Sequence, residues 1–278
     1  LTLSLFPTMA LADDGEESTG SPATSVSVGS ISLSKGDYLA NGATVTATTA
    51  PSSGTGYIHF TSDGQITLNK YTGSSKISIT GNLTINLVGE NKITTSNANS
   101  IYSTGALTIT GDSNSSLTAE NTSSDSAQTT IYSTSNITIT GNTTVTAKTN
   151  GTAQAINSES QSGKITIAEN ATVTAINNNS TSGTKIAVLA GNGTSNPTGT
   201  IEVKDSATLT AQGHGKALAC KSMSETSSPK GFTYPDGSTI KVSKNYDGSN
   251  PERTYAEGSL GSYKYVEVTH AVANYDVW

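Results

Sequence analysis

The sequence predicts an all-β, right-handed, single-stranded parallel β-helix, a solenoid with three short strands per coil and non-repeating caps. Three observations predict it. Short runs alternating Ile, Val or Leu with Thr recur at spacings of roughly 24–36 residues, the length of one solenoid coil. No segment sustains the 3.6-residue apolar spacing of a helix. The seven prolines leave the interval from Ser52 to Asn196 empty, where a strand ladder needs every backbone donor.

Composition narrows the class. The 278 residues are 33% hydrophobic, 13% charged and 5% aromatic. A low apolar fraction is also a mark of disorder, but disordered chains are usually rich in charge and poor in β-branched residues. Here Thr, Ile and Val recur at fixed positions, which favours strands. The formal net charge is −6 and Arg253 is the only arginine. A nucleic-acid binder needs a basic stripe to displace counterions, so no nucleic-acid partner is expected.

Taken in order, residues 1–12 read as the end of a secretory signal. Leu1, Leu3, Leu5, Phe6 and Met9 form a short apolar run, and Ala10-Leu11-Ala12 places small residues where a signal peptidase inspects them. The run is too short to span a bilayer, so no membrane span is expected in the mature chain. No Met or basic segment precedes it, so a longer precursor is expected. Residues 13–23 read as an acidic, disordered linker. The β-helix with its N-terminal cap is expected over 24–220, and a C-terminal cap or the start of a further module over 221–278. Cys220 is the sole cysteine, so no intrachain disulfide forms, and stability must come from a long core.

The repeats set themselves in register. One strand type is Leu107-Thr108-Ile109-Thr110, Ile137-Thr138-Ile139-Thr140, Ile165-Thr166-Ile167-Ala168 and Ile201-Glu202-Val203-Lys204. A second follows each: Leu117-Thr118-Ala119, Val145-Thr146-Ala147, Val173-Thr174-Ala175 and Leu209-Thr210-Ala211. A third precedes each pair: Ile101-Tyr102-Ser103, Ile131-Tyr132-Ser133, Ile156-Asn157-Ser158 and Val188-Leu189-Ala190. A degenerate earlier coil fits at Ile77-Ser78-Ile79, Leu83-Thr84-Ile85 and Ile93-Thr94-Thr95. Alternation buries one side of each strand and wets the other. So short a strand buries its apolar face only when repeats stack, so that Ile109, Ile139, Ile167 and Val203 line one internal column. Parallel crossovers are right-handed in nearly all known cases. Asn114, Asn142 and Asn170 sit three residues before an inward Leu or Val, where a left-handed asparagine corner is expected. Val26-Ser27-Val28, Ile31-Ser32-Leu33 and Val45-Thr46-Ala47 are expected to close one end, with Tyr57, His59 and Phe60 packing there. Ile240-Lys241-Val242 and residues Tyr263 to Val268 are the later strands.

The phrases Gly105-Ala106-Leu107-Thr108-Ile109-Thr110-Gly111, Ser135-Asn136-Ile137-Thr138-Ile139-Thr140-Gly141 and Asn82-Leu83-Thr84-Ile85-Asn86-Leu87-Val88-Gly89-Glu90-Asn91 resemble repeats of exported β-helical proteins of anaerobic bacteria. Members of that group are described as carbohydrate-binding domains or adhesin-like surface proteins. The resemblance covers about Ile58 to Gln212. It implies the fold, a secreted or cell-surface location, and a polysaccharide or surface glycan as partner.

Candidate binding residues follow from the register. Tyr102 and Tyr132 share one outward position in adjacent coils, about 4.8 Å apart, and Asn157 continues the column. Outward aromatics dock sugar rings face to face, although two stacked tyrosines can also simply support each other. Threonine columns at Thr144-Val145-Thr146, Thr172-Val173-Thr174 and Thr208-Leu209-Thr210 resemble the flat faces of ice-binding solenoids, but Thr is also the most soluble β-former. An enzyme is the third class. Hydrolysis needs two carboxylates at fixed separation, and a lyase needs a held cation with a basic residue. Glu169, Glu202 and Asp205 are the outward acids of the central coils, with no arginine near them. His59, His214 and His270 are isolated, so no metal or cofactor is expected. Cys220 reads as a small buried apolar residue. The expectation is a non-catalytic extracellular binding or adhesion module, with a purely structural surface stalk as the alternative.

Overall fold

The computed structural model describes residues 20–181, 184–221, 230–251 and 262–270. The expected leader at 1–12 and most of the linker at 13–23 lie outside the described residues. Every named element is a β-strand, and the strands form three sheets of eight, nine and eight members. Five complete coils stack, with first strands at Ile77–Ile79, Ile101–Ser103, Ile131–Ser133, Ile156–Ser158 and Ile186–Ala190; each coil adds one strand to each sheet. The chain is a parallel β-helix. Among the described residues no helix is long and apolar enough to cross a membrane.

The alternation does what it predicts. Ile66, Ile85, Ile109, Ile139, Ile167 and Val203 pair in unbroken register through the second sheet and are essentially buried. Leu117, Val145, Val173 and Leu209 do the same in the third sheet, beside a column of Ala119, Ala147, Ala175 and Ala211. Each buried aliphatic side chain contributes about 1.5–3 kcal/mol before chain entropy is set against it. One coil therefore gains little alone, and the stack is the stable unit. Asn91 occupies the same inward column, opposite Leu117. Its Oδ1 accepts from Tyr71 N–H at 2.8 Å, and its Nδ2 donates to the carbonyls of Gly89 and Ser116 at 3.0 and 3.1 Å, so it closes the column end with hydrogen bonds.

Antiparallel strands finish three of the six sheet ends. At the N-terminal end Val26–Val28 runs antiparallel to Ile77–Ile79, and Ile31–Leu33 folds back on it. The second sheet ends in Tyr57–Ser62, antiparallel to Gln65–Asn69, and then Tyr38–Ala40. That last strand replaces the expected Val45-Thr46-Ala47: Val45 is 73% exposed, and Ala47 makes only an isolated bridge to Tyr38. Aromatic packing favours the substitute, because Tyr38 stacks on His59 at 3.8 Å and meets Tyr57 edge-on while Leu39 turns inward. At the other end Lys216–Ala219 and Phe232–Thr233 extend the first and second sheets in parallel. The third sheet closes with Tyr265–His270 and Ser238–Ser243, both antiparallel. Tyr246 stacks on His214 at 3.8 Å and bonds to Asn178, which pins this segment to the last coils.

The corners carry buried polar side chains. Thr95, Asn121, Thr149 and Asn177 end successive strands of the third sheet in register and are buried. Each ties down its own turn: Thr95 donates to Ala98 O, Asn121 to Gln128 O, Asn177 to Ile186 O, and Thr149 accepts from Gly151 N–H. Between the first and second sheets, Ser103 donates to Gly105 O in its own turn, while Ser133 and Ser158 reach back one coil to Gly105 O and Ser135 O.

Candidate functional site

The turns held by that polar corner overhang the outward face of the first sheet. Between them lies a groove of about 270 Å³, lined from the sheet by Tyr102, Tyr132 and Asn157 and from the turns by Asn99, Thr129 and Gln154, with Glu159 at one end. The three residues named from sequence are thus brought to one concavity. Sheet pairing puts them in one column, Tyr102 opposite Tyr132 and Tyr132 opposite Asn157.

The geometry of the tyrosines differs from a sugar-docking platform. Their ring centroids lie 5.2 Å apart with planes 7° from parallel. In-register parallel strands force this arrangement, since identical side chains one strand spacing apart stack face to face. The two facing surfaces therefore cover each other. The far face of Tyr102 is also taken, by the Lys76 ammonium 5.2 Å from its centroid. What the pair offers the groove is ring edges, the far face of Tyr132 being turned to Asn157, the next residue in register.

The turn side of the groove is a ladder that runs coil to coil. Asn99 Nδ2 donates to Thr129 O at 2.6 Å, Thr129 Oγ1 to Gln154 Oε1 at 3.1 Å, and Gln154 Nε2 to Thr184 Oγ1 at 3.1 Å. These residues went unremarked in the sequence because their turns differ in length from coil to coil. Their signal in the sequence is a polar residue two positions before Ile101, Ile131 and Ile156.

Asn157 stands apart from this order. It is 6% exposed, and its Oδ1 is buried without a hydrogen-bond partner. An unpaired buried amide oxygen is costly, about 1–3 kcal/mol, and such groups are rare enough in folded proteins to call for a reason. Beyond it in the column comes Leu189, which with Ile186 and Ala219 forms a separate buried apolar cluster.

The acids named for catalysis have other occupations. Glu169 and Asp205 have positive φ, 58° and 53°, at the corners where Asn170 and Ser206 follow, and Gly141 has 82° one coil earlier. The left-handed corner thus falls one residue before Asn142 and Asn170. Only Asn114, in a longer turn, is itself left-handed, at 73°. Asn170 instead donates to Asn142 Oδ1 at 2.7 Å, a side-chain ladder between coils. The carboxylates reach back one coil: Gly141 N–H donates to Glu169 Oε2 at 2.7 Å, and Glu169 N–H to Asp205 Oδ2 at 3.0 Å. Glu202, itself partly buried, pairs with Lys164 at 2.7 Å and Lys204 at 3.6 Å, whose side chains are more open to solvent.

Among the described residues no group of three or more His, Cys, Asp or Glu side chains is placed to hold a metal ion. Cys220 is buried, and burial pushes its thiol up to about 12, so it stays protonated and unreactive at neutral pH. The threonine face of the third sheet carries a larger concavity of about 490 Å³ around Thr118, Thr144 and Thr146; none of its lining residues has an unpaired buried polar atom. Set against protein-family models, curated proteins and solved structures, the chain matches none.

Proposed function

We propose that the protein is an exported, non-catalytic carbohydrate-binding module whose site is the Tyr102/Tyr132/Asn157 groove. The observation that carries this reading is the orphaned Oδ1 of Asn157 inside a groove walled by amides, hydroxyls and aromatic edges. Buried acceptors are rarely left empty when a partner exists to fill them, and a sugar ring brings several hydroxyl donors on an apolar frame. Glycan sites of this kind combine aromatic edges or faces with a few fixed polar groups. The resemblance to exported β-helical repeat proteins points to the same ligand class and to the cell exterior.

The test is a glycan array with an insoluble-polysaccharide pull-down, assayed in parallel for released sugar. The expected result is retention without product, lost when Tyr102→Ala and Tyr132→Ala are combined, with the circular dichroism of the coils unchanged. Retention by neither protein would assign the chain to a structural stalk, a role that the mutually covered tyrosine rings also suit. Released sugar would mark an enzyme, and Glu169, Glu202 and Asp205 would be the first residues to replace.

A further inference from the structure

We infer that residues 44–49 are a self-association strand, through which two copies of this chain join edge to edge at the N-terminal end of the second sheet. The segment has the sequence of a coil strand without the sheet. Thr44-Val45-Thr46-Ala47 repeats the four residues of Thr144-Val145-Thr146-Ala147 and of Thr172-Val173-Thr174-Ala175. Those two lie side by side in the third sheet, with their valines and alanines fully buried. Here Val45 is 73% exposed. The start of the segment is held by Asn41, whose Nδ2 donates to Lys70 O and whose Oδ1 accepts from Thr72 N–H. Beyond that, Ala47 is the one residue of 44–49 with a backbone hydrogen bond among the described residues: its carbonyl accepts from Tyr38 N–H at 2.6 Å and its N–H donates to Tyr38 O at 2.9 Å. In antiparallel pairing the backbone groups of alternate residues point to opposite sides. With Ala47 turned to Tyr38, an extended segment offers those of Thr44, Thr46 and Thr48 to the open side.

Charge identifies the partner as a second copy. Sheet edges are normally guarded against pairing by charged side chains, proline or a covering loop. The last strand of the third sheet, Ser238–Ser243, follows that rule with the exposed Lys241. At the edge beside Tyr38–Ala40 the guard is missing. No Asp, Glu, Lys or Arg lies between Asp37 and Asp63, a stretch that holds Tyr38–Ala40, the open segment and Tyr57–Ser62. Burial lowers the pKa of its one histidine, His59. In a chain of net charge −6, which repels its own copies, this neutral edge is where two of them can approach. A twofold axis through Thr46 would set the two segments antiparallel, with Thr46 opposite Thr46 and Val45 opposite Ala47. Each segment would then help to cover the valine of the other, and the isologous contact would close without leaving a further edge.

Sedimentation equilibrium of the full chain over a wide range of concentration tests this. The expected result is a reversible monomer–dimer equilibrium that added salt does not weaken, since no ion pair holds it. Val45→Lys should weaken the dimer at least about tenfold by placing like charges across the axis, and should leave the melting temperature of the dilute monomer unchanged. Thr46→Cys should give a disulfide-linked dimer under mild oxidation, because a hydrogen-bonded antiparallel pair sets its Cα atoms about 5.5 Å apart, within disulfide reach. Thr239→Cys, on the guarded edge, should not, and the native Cys220 is buried. A chain that stays monomeric at every concentration would overturn the inference. So would a dimer indifferent to Val45→Lys, or one that Thr46→Cys fails to link, since either places the interface elsewhere. A monomer whose melting temperature falls with Val45→Lys would also overturn it, by showing that the segment packs against its own chain.

Discussion

The outward faces of the third and first sheets differ in a way that separates folding from function. On the third sheet the strands are six residues long and keep register from Ser116 through Thr144 and Thr172 to Thr208, and from Thr118 through Thr146 and Thr174 to Thr210. Four of the five coils repeat Ser or Thr at both positions; the first carries Glu90 and Lys92 there, and only the strand-end position varies further, from Glu120 through Lys148 and Ile176 to Gln212. On the first sheet the strands shrink to three residues in the central coils, and the outward position reads Ser78, Tyr102, Tyr132, Asn157, Leu189. A repeat that stays constant reports what one coil needs from the next. A position that changes while its neighbours stay constant is free of that need, and there a specific ligand can be met.

Both faces rest on one core, and Ile139→Asp tests that premise with the largest effect. A carboxylate in the middle of the fully buried Ile109–Ile139–Ile167 column should cost more than about 4 kcal/mol. Cooperative thermal unfolding followed by circular dichroism should vanish for both faces together. Survival of either sheet would show that the coils do not share a single core.

Two buried asparagines sharpen the contrast. Asn91 is saturated with hydrogen bonds, so Asn91→Leu should lower stability by about 2–3 kcal/mol as Tyr71 N–H and several carbonyls lose their partner. Asn157→Leu should do the reverse and raise stability by about 1 kcal/mol in chemical denaturation, because it removes an unpaired oxygen beside Leu189. A loss of stability in Asn157→Leu would make the residue structural and would remove the carrying observation for the groove.

On the threonine face, Thr146→Ser should change stability by no more than about 0.5 kcal/mol and leave glycan retention untouched. A loss of retention there would move the site to the third sheet. The smallest effect expected is on pH. Burial holds His59 below its usual value, and His214 is lowered by burial and then by Lys264 and Lys185. For a histidine depressed in the folded state, the unfolded chain binds the proton more readily. Stability is therefore complete above the ordinary histidine value of about 6.5 and declines as pH falls through it. His214→Asn should flatten part of that slope in a thermal-melt series against pH; an unchanged slope would remove His214 as a contributor.

Much of the scaffold was legible because its rules are local. Ile-Thr-Ile alternation assigns faces, and repetition assigns register, so the columns through Ile139 and Val145 follow from the residues alone. The tyrosine column followed too, together with the strand spacing that stacks its rings, but the Lys76 ammonium over Tyr102 did not, since it comes from the turn before the preceding strand. The corner chemistry was misplaced by one residue: asparagine's tolerance of positive φ suggested Asn142 and Asn170, whereas Gly141, Glu169 and Asp205 take that conformation. The two acids can do so because each carboxylate accepts a backbone N–H from the preceding coil, a contact between segments distant in sequence. The groove was hidden for the same reason. Asn99, Thr129 and Gln154 sit in turns of unequal length, and only their hydrogen bonds bring them into line.

The antiparallel strands at the ends have a consequence for how such a molecule can change in size. Tyr57–Ser62 and Tyr265–His270 run against the strands they meet, so a coil added outside Tyr38–Ala40 or Ser238–Ser243 would be parted from the parallel ladder by a reversed strand. Lengthening without such an interruption occurs between the caps, by duplicating a coil such as the one that begins at Ile131. An inserted copy would bring its own Ile, Tyr and Ser in register, so the tyrosine stack would grow from two rings to three. Its two terminal neighbours, Lys76 and Asn157, would be carried apart unchanged, which makes the distance between them a quantity that gene duplication alone can set.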